Sequence, residues 1–261
     1  MTSSILGGWL PGLLAALRWV PDPEGIVAYR WAATVGNIFY LPALVSLLAL
    51  PAAADHQPED PGRLPLLPLP AGVLGVFGVF LAISILLGLA YGVYFPFANL
   101  YFKEHLGAPP GVVGMAMGAG QAAGVLGLSL SPALARRLGK VRAVTVAQLM
   151  ALPCLLGMAL TDQLWTGALF FVGRYALWNL GSSSFDAFQM EAVPDRLRTL
   201  LNSLAGLPSG VGFNLAWAMG GALGGRLIVH YGYPAILFAA IGFSLPGTML
   251  YFLRFRHGTK M

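Results

Sequence analysis

The chain has 261 residues, 57% of them hydrophobic and only 10% charged, with a net charge of +5 and a mean hydropathy of +0.73. A soluble domain carries about 25% charged residues to cover its surface. This composition therefore excludes a water-soluble enzyme domain, a disordered protein and a nucleic-acid binder; the calculated pI of 9.6 reflects basic residues in short loops between apolar runs, the pattern that orients a membrane protein.

A membrane span needs about 20 mostly apolar residues. In chain order the candidates are 4–20, 28–50, 72–101, 111–135, 142–160, 164–190, 200–229 and 234–253. The first is the shortest, and Pro11 and Arg18 interrupt it, so it does not read as a secretory signal. All eight are continuously apolar rather than alternating, so they are read as helices and not as barrel strands. Residues 51–71 contain Pro51, Pro58, Pro61, Pro65, Pro68 and Pro70. Proline at that density stops helices, and the segment is read as an extended linker. The expected architecture is an all-α polytopic membrane protein of about eight transmembrane helices. Two lie in 1–50, a Pro-rich cytoplasmic linker follows over 51–71, and a six-helix bundle fills 72–261.

Ten of the 15 Lys and Arg residues fall on the side of the two termini and four on the other, with Arg174 inside a span. That bias places both termini in the cytoplasm of a multi-pass plasma or inner-membrane protein. Gly88 and Gly92, Gly114 and Gly118, Gly120 and Gly124, Gly206 and Gly210, and Gly220 and Gly224 have the spacing that lets membrane helices approach closely.

Polar groups inside spans are costly in lipid and often functional. Gln121, Arg174, Asn179 and Asn214 lie near mid-span at comparable depth, and Tyr91 and Tyr94 stand one helical turn apart. Arg174 lies nine residues after Trp165, about 14 Å along the helix and near the middle of a 30 Å hydrocarbon core. Its fork of donors suits a carboxylate, so an anionic small solute is expected. The substrate-binding candidates are thus Arg174, Asn179, Gln121, Asn214 and Tyr91. No acid lies at mid-depth, so no proton relay is evident. Four histidines and the single Cys154 form no metal-ligand spacing, and no phosphate-binding loop is present. No metal, cofactor or enzymatic chemistry is expected.

Two loops carry a resemblance. Ser131-Pro132-Ala133-Leu134-Ala135-Arg136-Arg137-Leu138-Gly139-Lys140-Val141-Arg142 is a short basic turn with a central glycine, and Gln189 to Arg198 contains Glu191, Pro194 and Arg198. Together they resemble the second half of a major facilitator superfamily transporter, with the basic turn between the second and third helices of that half and the acidic stretch between the fourth and fifth. Asn99 to Gly107 resembles the outer end of the family's seventh helix, and Tyr29-Arg30-Trp31 the start of its sixth. Arg136 stands where the family has an aspartate. The resemblance implies a secondary transporter working by alternating access, with a cytoplasmic gate of Arg136, Arg137, Gly139, Lys140, Glu191 and Arg198, in which Glu191 pairs with Arg136 or Arg198. On this reading four N-terminal helices are missing. The expected partners are the lipid bilayer, a solute, and a missing N-terminal half or a second copy. The alternative is a non-transporting membrane scaffold or an inactive truncated product.

Overall fold

Residues 71 to 105 run as one helical rod in the computed structural model, which describes residues 71–193, 195–206 and 210–256 together with Thr34. The expected spans 4–20 and 28–50, and the linker up to residue 70, lie outside the described residues. The rod begins as α1, Ala71–Tyr94. It passes through a 3-10 turn at Phe95–Phe97, where Pro96 removes a donor, and ends in a π turn at Tyr101–His105. Gly107, at φ 64°, ends it.

The remaining helices are α2 (Pro110–Leu138), α3 (Lys140–Leu160), α4 (Leu164–Glu191), α5 (Asp195–Ala205), α6 (Val211–Tyr231) and α7 (Tyr233–Phe255). No strand occurs among the described residues. The α1 rod, α2, α3 and α7 are long and apolar enough to cross a membrane. Helices α4 (28 residues) and α6 (21 residues) match them in length but carry Arg174, Asn179 and Asp186, and Asn214 and Arg226.

The predicted span 200–229 is corrected. Helix α5 ends at Ala205 and α6 begins at Val211. Across the break Gly206 N–H donates to Asn202 O, and Gly210 N–H donates to Gly206 O. The physical reason is the run Gly206-Leu207-Pro208-Ser209-Gly210, which ends one helix and restarts another. Gly206 and Gly210 thus shape a turn rather than a helix contact. Helix α5 is amphipathic: Leu197, Leu201 and Ala205, spaced at i, i+4 and i+8, are buried. The Ser84 hydroxyl of α1 donates to the Ala205 carbonyl that ends it.

Helix contacts follow a two-fold pattern. The α1 rod packs on α6 and α7, α4 packs on α2 and α3, and α3 packs on α7. Exchanging α1, α2, α3 for α4, α6, α7 leaves this set unchanged. Three helices per repeat reverse the direction of the chain, which makes the two repeats inverted. The turns obey the same exchange: Gly139 alone joins α2 to α3 and Gly232 alone joins α6 to α7, both at φ 79°. A one-residue link at positive φ suits glycine because no Cβ meets the following carbonyl.

Close crossings rest on predicted glycines and on Gly127, which was not among them. A Cβ on Gly88 would lie 2.5 Å from Phe213 O and one on Gly92 2.1 Å from Trp217 O. From the facing helix, Gly220 and Gly224 sit against Leu89 O and Val93 O. On α2, Gly127 faces Ala176 O at 2.2 Å, while Gly120 and Gly124 face the rings of Phe171 and Tyr175.

Two apolar cores stack along the bundle. One surrounds Phe80, Val144, Phe185, Leu201, Tyr251 and Phe255; the other surrounds Val93, Phe102, Leu155, Met158, Phe171 and Ile236. Lys140 and Glu191 are paired at the first end, while Tyr233 bonds Glu104 at 2.7 Å at the second. At that second end the Tyr101 hydroxyl also donates to Met158 O at 2.7 Å, tying the α1 rod to α3.

Candidate functional site

The site is built at the junction of the two cores. On α4, Phe171 belongs to one core and Trp178 to the other. Arg174 lies between them and is 2% exposed. Its guanidinium carbon stands 5.1 Å from the Trp178 ring centroid and 5.7 Å from that of Tyr94. Aromatic faces stabilise a desolvated cation by about 2 kcal/mol. They supply no hydrogen-bond acceptor, and Nε and Nη1 of Arg174 have no such partner among the described residues.

Aromatic side chains of three helices surround this charge. The Tyr91 ring is sandwiched between Phe95 at 4.4 Å and Trp178 at 4.9 Å, with interplanar angles of 19° and 21°. Phe213 of α6 closes on both, 6.4 Å from Tyr91 and 6.3 Å from Trp178. Tyr175 lies 5.9 Å from Phe95. Tyr94 and Trp178 are buried, whereas Tyr91, Phe95 and Tyr175 are half-buried and form the approachable side. Arg174 is thus enclosed under an aromatic layer.

Among the predicted binding residues, the fold brings Arg174 and Tyr91 together through Trp178 and Tyr94. Asn179 lies one turn beyond Tyr175 and donates its amide to Tyr175 O at 2.9 Å. Its nitrogen occupies the space that Gly124 leaves open, 2.8 Å from where a Cβ would stand. Gln121 is half-buried on α2 and engaged in an interaction. Asn214 is exposed on α6 and bonds Gly210 O at 3.0 Å. Sequence reasoning paired Tyr94 with Tyr91 without making it a binding candidate, and it missed Phe95, Tyr175, Trp178 and Phe213. The signal was there in aromatic residues repeated at i, i+3 and i+4 on two helices, which apolar spans otherwise use as plain core.

At the basic end, Glu191 pairs with Lys140 and not with Arg136 or Arg198. Gly139 ends α2, so Arg136 and Arg137 stay exposed on its last turn, where they complement the negative helix end. Lys140 starts α3 and reaches α4. Arg198 instead donates through Nε to Met190 O at 2.7 Å, so α3 and α5 both hold the end of α4. Lys140 and Glu191 keep 32% and 61% of their side-chain surface exposed, and a pair so open contributes about 0–1 kcal/mol. A double-mutant cycle of Lys140→Gln and Glu191→Gln should give coupling in that range. The parallel cycle of Glu191→Gln with Arg136→Gln should give none. Coupling to Arg136 and not to Lys140 would refute this geometry.

The sequence model of the MFS_1 like family matches residues 75–240. The chain belongs to this family. The match covers more than half of the chain, running from the first turns of α1 into α7. None of the curated proteins compared matches the chain. The MFS_1 like chain is accordingly a multi-pass, all-α membrane protein of the major facilitator type, in contact with the lipid bilayer. The family is one of transporters rather than enzymes. The inverted three-helix repeats accord with the repeat pattern of such transporters.

Proposed function

We propose that the six-helix unit forms one side of a pathway for a small organic anion, with Arg174 as its counter-charge. The observation that carries this reading is the enclosed guanidinium with two nitrogens lacking a hydrogen-bond partner among the described residues. A charge at mid-depth needs a partner or water. The nearest acid along α4 is Asp186, twelve residues on and about 18 Å away. A carboxylate brought by the solute completes the site, because the planar fork of arginine binds it through two parallel hydrogen bonds. The half-buried Tyr91, Phe95 and Tyr175 offer the solute's apolar part a surface. Rocking requires a second body, which a second copy or another helical bundle supplies.

The test compares a carboxylate with its own primary amide, using the full chain in lipid nanodiscs. The wild-type chain should bind the carboxylate at least about tenfold more tightly, since hydrogen bonds to charged groups contribute roughly 1.5–3 kcal/mol. Arg174→Gln should abolish that preference and leave amide binding unchanged. Equal affinity of the wild-type chain for both solutes across a panel of such pairs would remove the anion assignment.

A further inference from the structure

At the basic end, a groove of about 290 Å³ opens between α2 and α4. Ser131 and Ser184 lie on its buried side, 1% and 3% exposed, and bond each other at 2.7 Å. Their hydroxyls are therefore satisfied. Pro132 and Ala187 give the groove apolar walls, and Arg136 and Lys140 stand at its rim. Glu191 neutralises Lys140. Arg136 is exposed and has no ion-pair partner among the described residues. The rim thus keeps one uncompensated positive charge above an apolar crevice.

From these features we infer that the groove seats the headgroup of an anionic phospholipid. The charge alone would suit any anion. The lipid source is favoured by what adjoins the groove: on α2, Leu128 and Val125 continue the face of Pro132 in successive one-turn steps and are 43% and 61% exposed. They form an apolar ridge that runs from the groove into the depth of the membrane. A phosphate held at Arg136 lies at the membrane–water boundary, and its acyl chains follow the ridge. A soluble anion gains nothing from that ridge. The inference is independent of Arg174, which lies in the middle of the bundle.

The full chain, purified in neutral detergent, is titrated with dioleoylphosphatidylglycerol and with dioleoylphosphatidylcholine, and bound lipid is counted by native mass spectrometry. Retention of the anionic lipid should exceed that of the zwitterionic one about fivefold, as one well-placed basic residue at an anionic surface warrants. Arg136→Gln should erase the preference. Ala187→Leu, which narrows the crevice at constant charge, should weaken retention of the anionic lipid and carries the test if Arg136→Gln fails to fold. Arg137→Gln, one residue away and off the groove, should leave it unchanged. Equal retention of the two lipids by the wild-type chain would overturn the inference. So would an equal effect of Arg136→Gln and Arg137→Gln, which marks a diffuse field. Displacement of the lipid by excess inorganic phosphate would likewise overturn it in favour of a soluble-anion site.

Discussion

Gly92→Ala should destabilise the purified protein by about 1–3 kcal/mol, the usual range for inserting a methyl group into a packed interface, while Gly78→Ala should not destabilise it. The contrast comes from what the new Cβ meets. At Gly92 it would lie 2.1 Å from the carbonyl oxygen of Trp217 and 2.7 Å from that residue's Cα. Both are backbone atoms of α6, so no rotamer change relieves the clash and the two helices must separate. At Gly78 nothing stands within 4 Å, and the only change is the gain of up to about 1 kcal/mol in helix propensity. Gly224→Ala should behave like Gly92→Ala, because its Cβ would lie 2.2 Å from Val93 O across the same crossing. Once one methyl group has forced the helices apart, the second meets an opened contact. The double variant should therefore lose less than the sum of the single losses. Thermal unfolding of the full chain in detergent, followed by circular dichroism, measures all four variants. A Gly92→Ala protein as stable as Gly78→Ala would refute so close an α1–α6 crossing.

Helix ends were legible where glycine and apolar runs agree. Gly139 ends α2 and Gly232 ends α6, so the spans expected at 111–135 and 234–253 match α2 and α7 within a few residues. The break at Gly206 to Gly210 was written just as plainly, yet the expected span 200–229 ran through it. Leu197, Leu201 and Ala205 form the buried face of an amphipathic helix. Their apolar content merges with that of α6 when hydropathy is averaged along the chain, although the two helices present it differently. Depth was readable too, since counting residues from Trp165 puts Arg174 near mid-span, and the fold places it at the junction of the two cores. Its neighbours were not readable. Whether an aromatic residue packs as core or roofs a charge depends on which side chains meet it across the bundle, and only the inward-facing side chains of α1 and α4 bring Tyr94 to Arg174. The partner of Glu191 is a similar case. Arg136, Lys140 and Arg198 are close alternatives in sequence, and the direction of the chain through Gly139 selects Lys140.

The second large effect concerns Arg174, where stability and binding should move in opposite directions. An arginine at the centre of a membrane helix carries a penalty of about 2.5–3.5 kcal/mol on insertion scales. The faces of Trp178 and Tyr94 offset roughly 2 kcal/mol of it, and Nε and Nη1 gain no hydrogen bond from the described residues. Methionine can occupy much of the same space without a charge, and its flexible thioether adapts to the aromatic walls. Arg174→Met should therefore leave the ligand-free protein as stable as wild type or more stable by about 1 kcal/mol, in line with other replacements of buried ions by apolar groups. A carboxylate ligand at one hundred times its dissociation constant should stabilise the wild-type chain by about 2.7 kcal/mol and the variant not at all. Paired thermal unfolding curves, with and without the ligand, read both quantities in one experiment. If the arginine instead served to hold the helices together, the variant would lose about 3 kcal/mol or more, as expected when a buried, bonded charge is removed. It would also keep whatever ligand-induced shift the wild type shows, and that pair of results would reassign Arg174 from solute recognition to the architecture of the bundle.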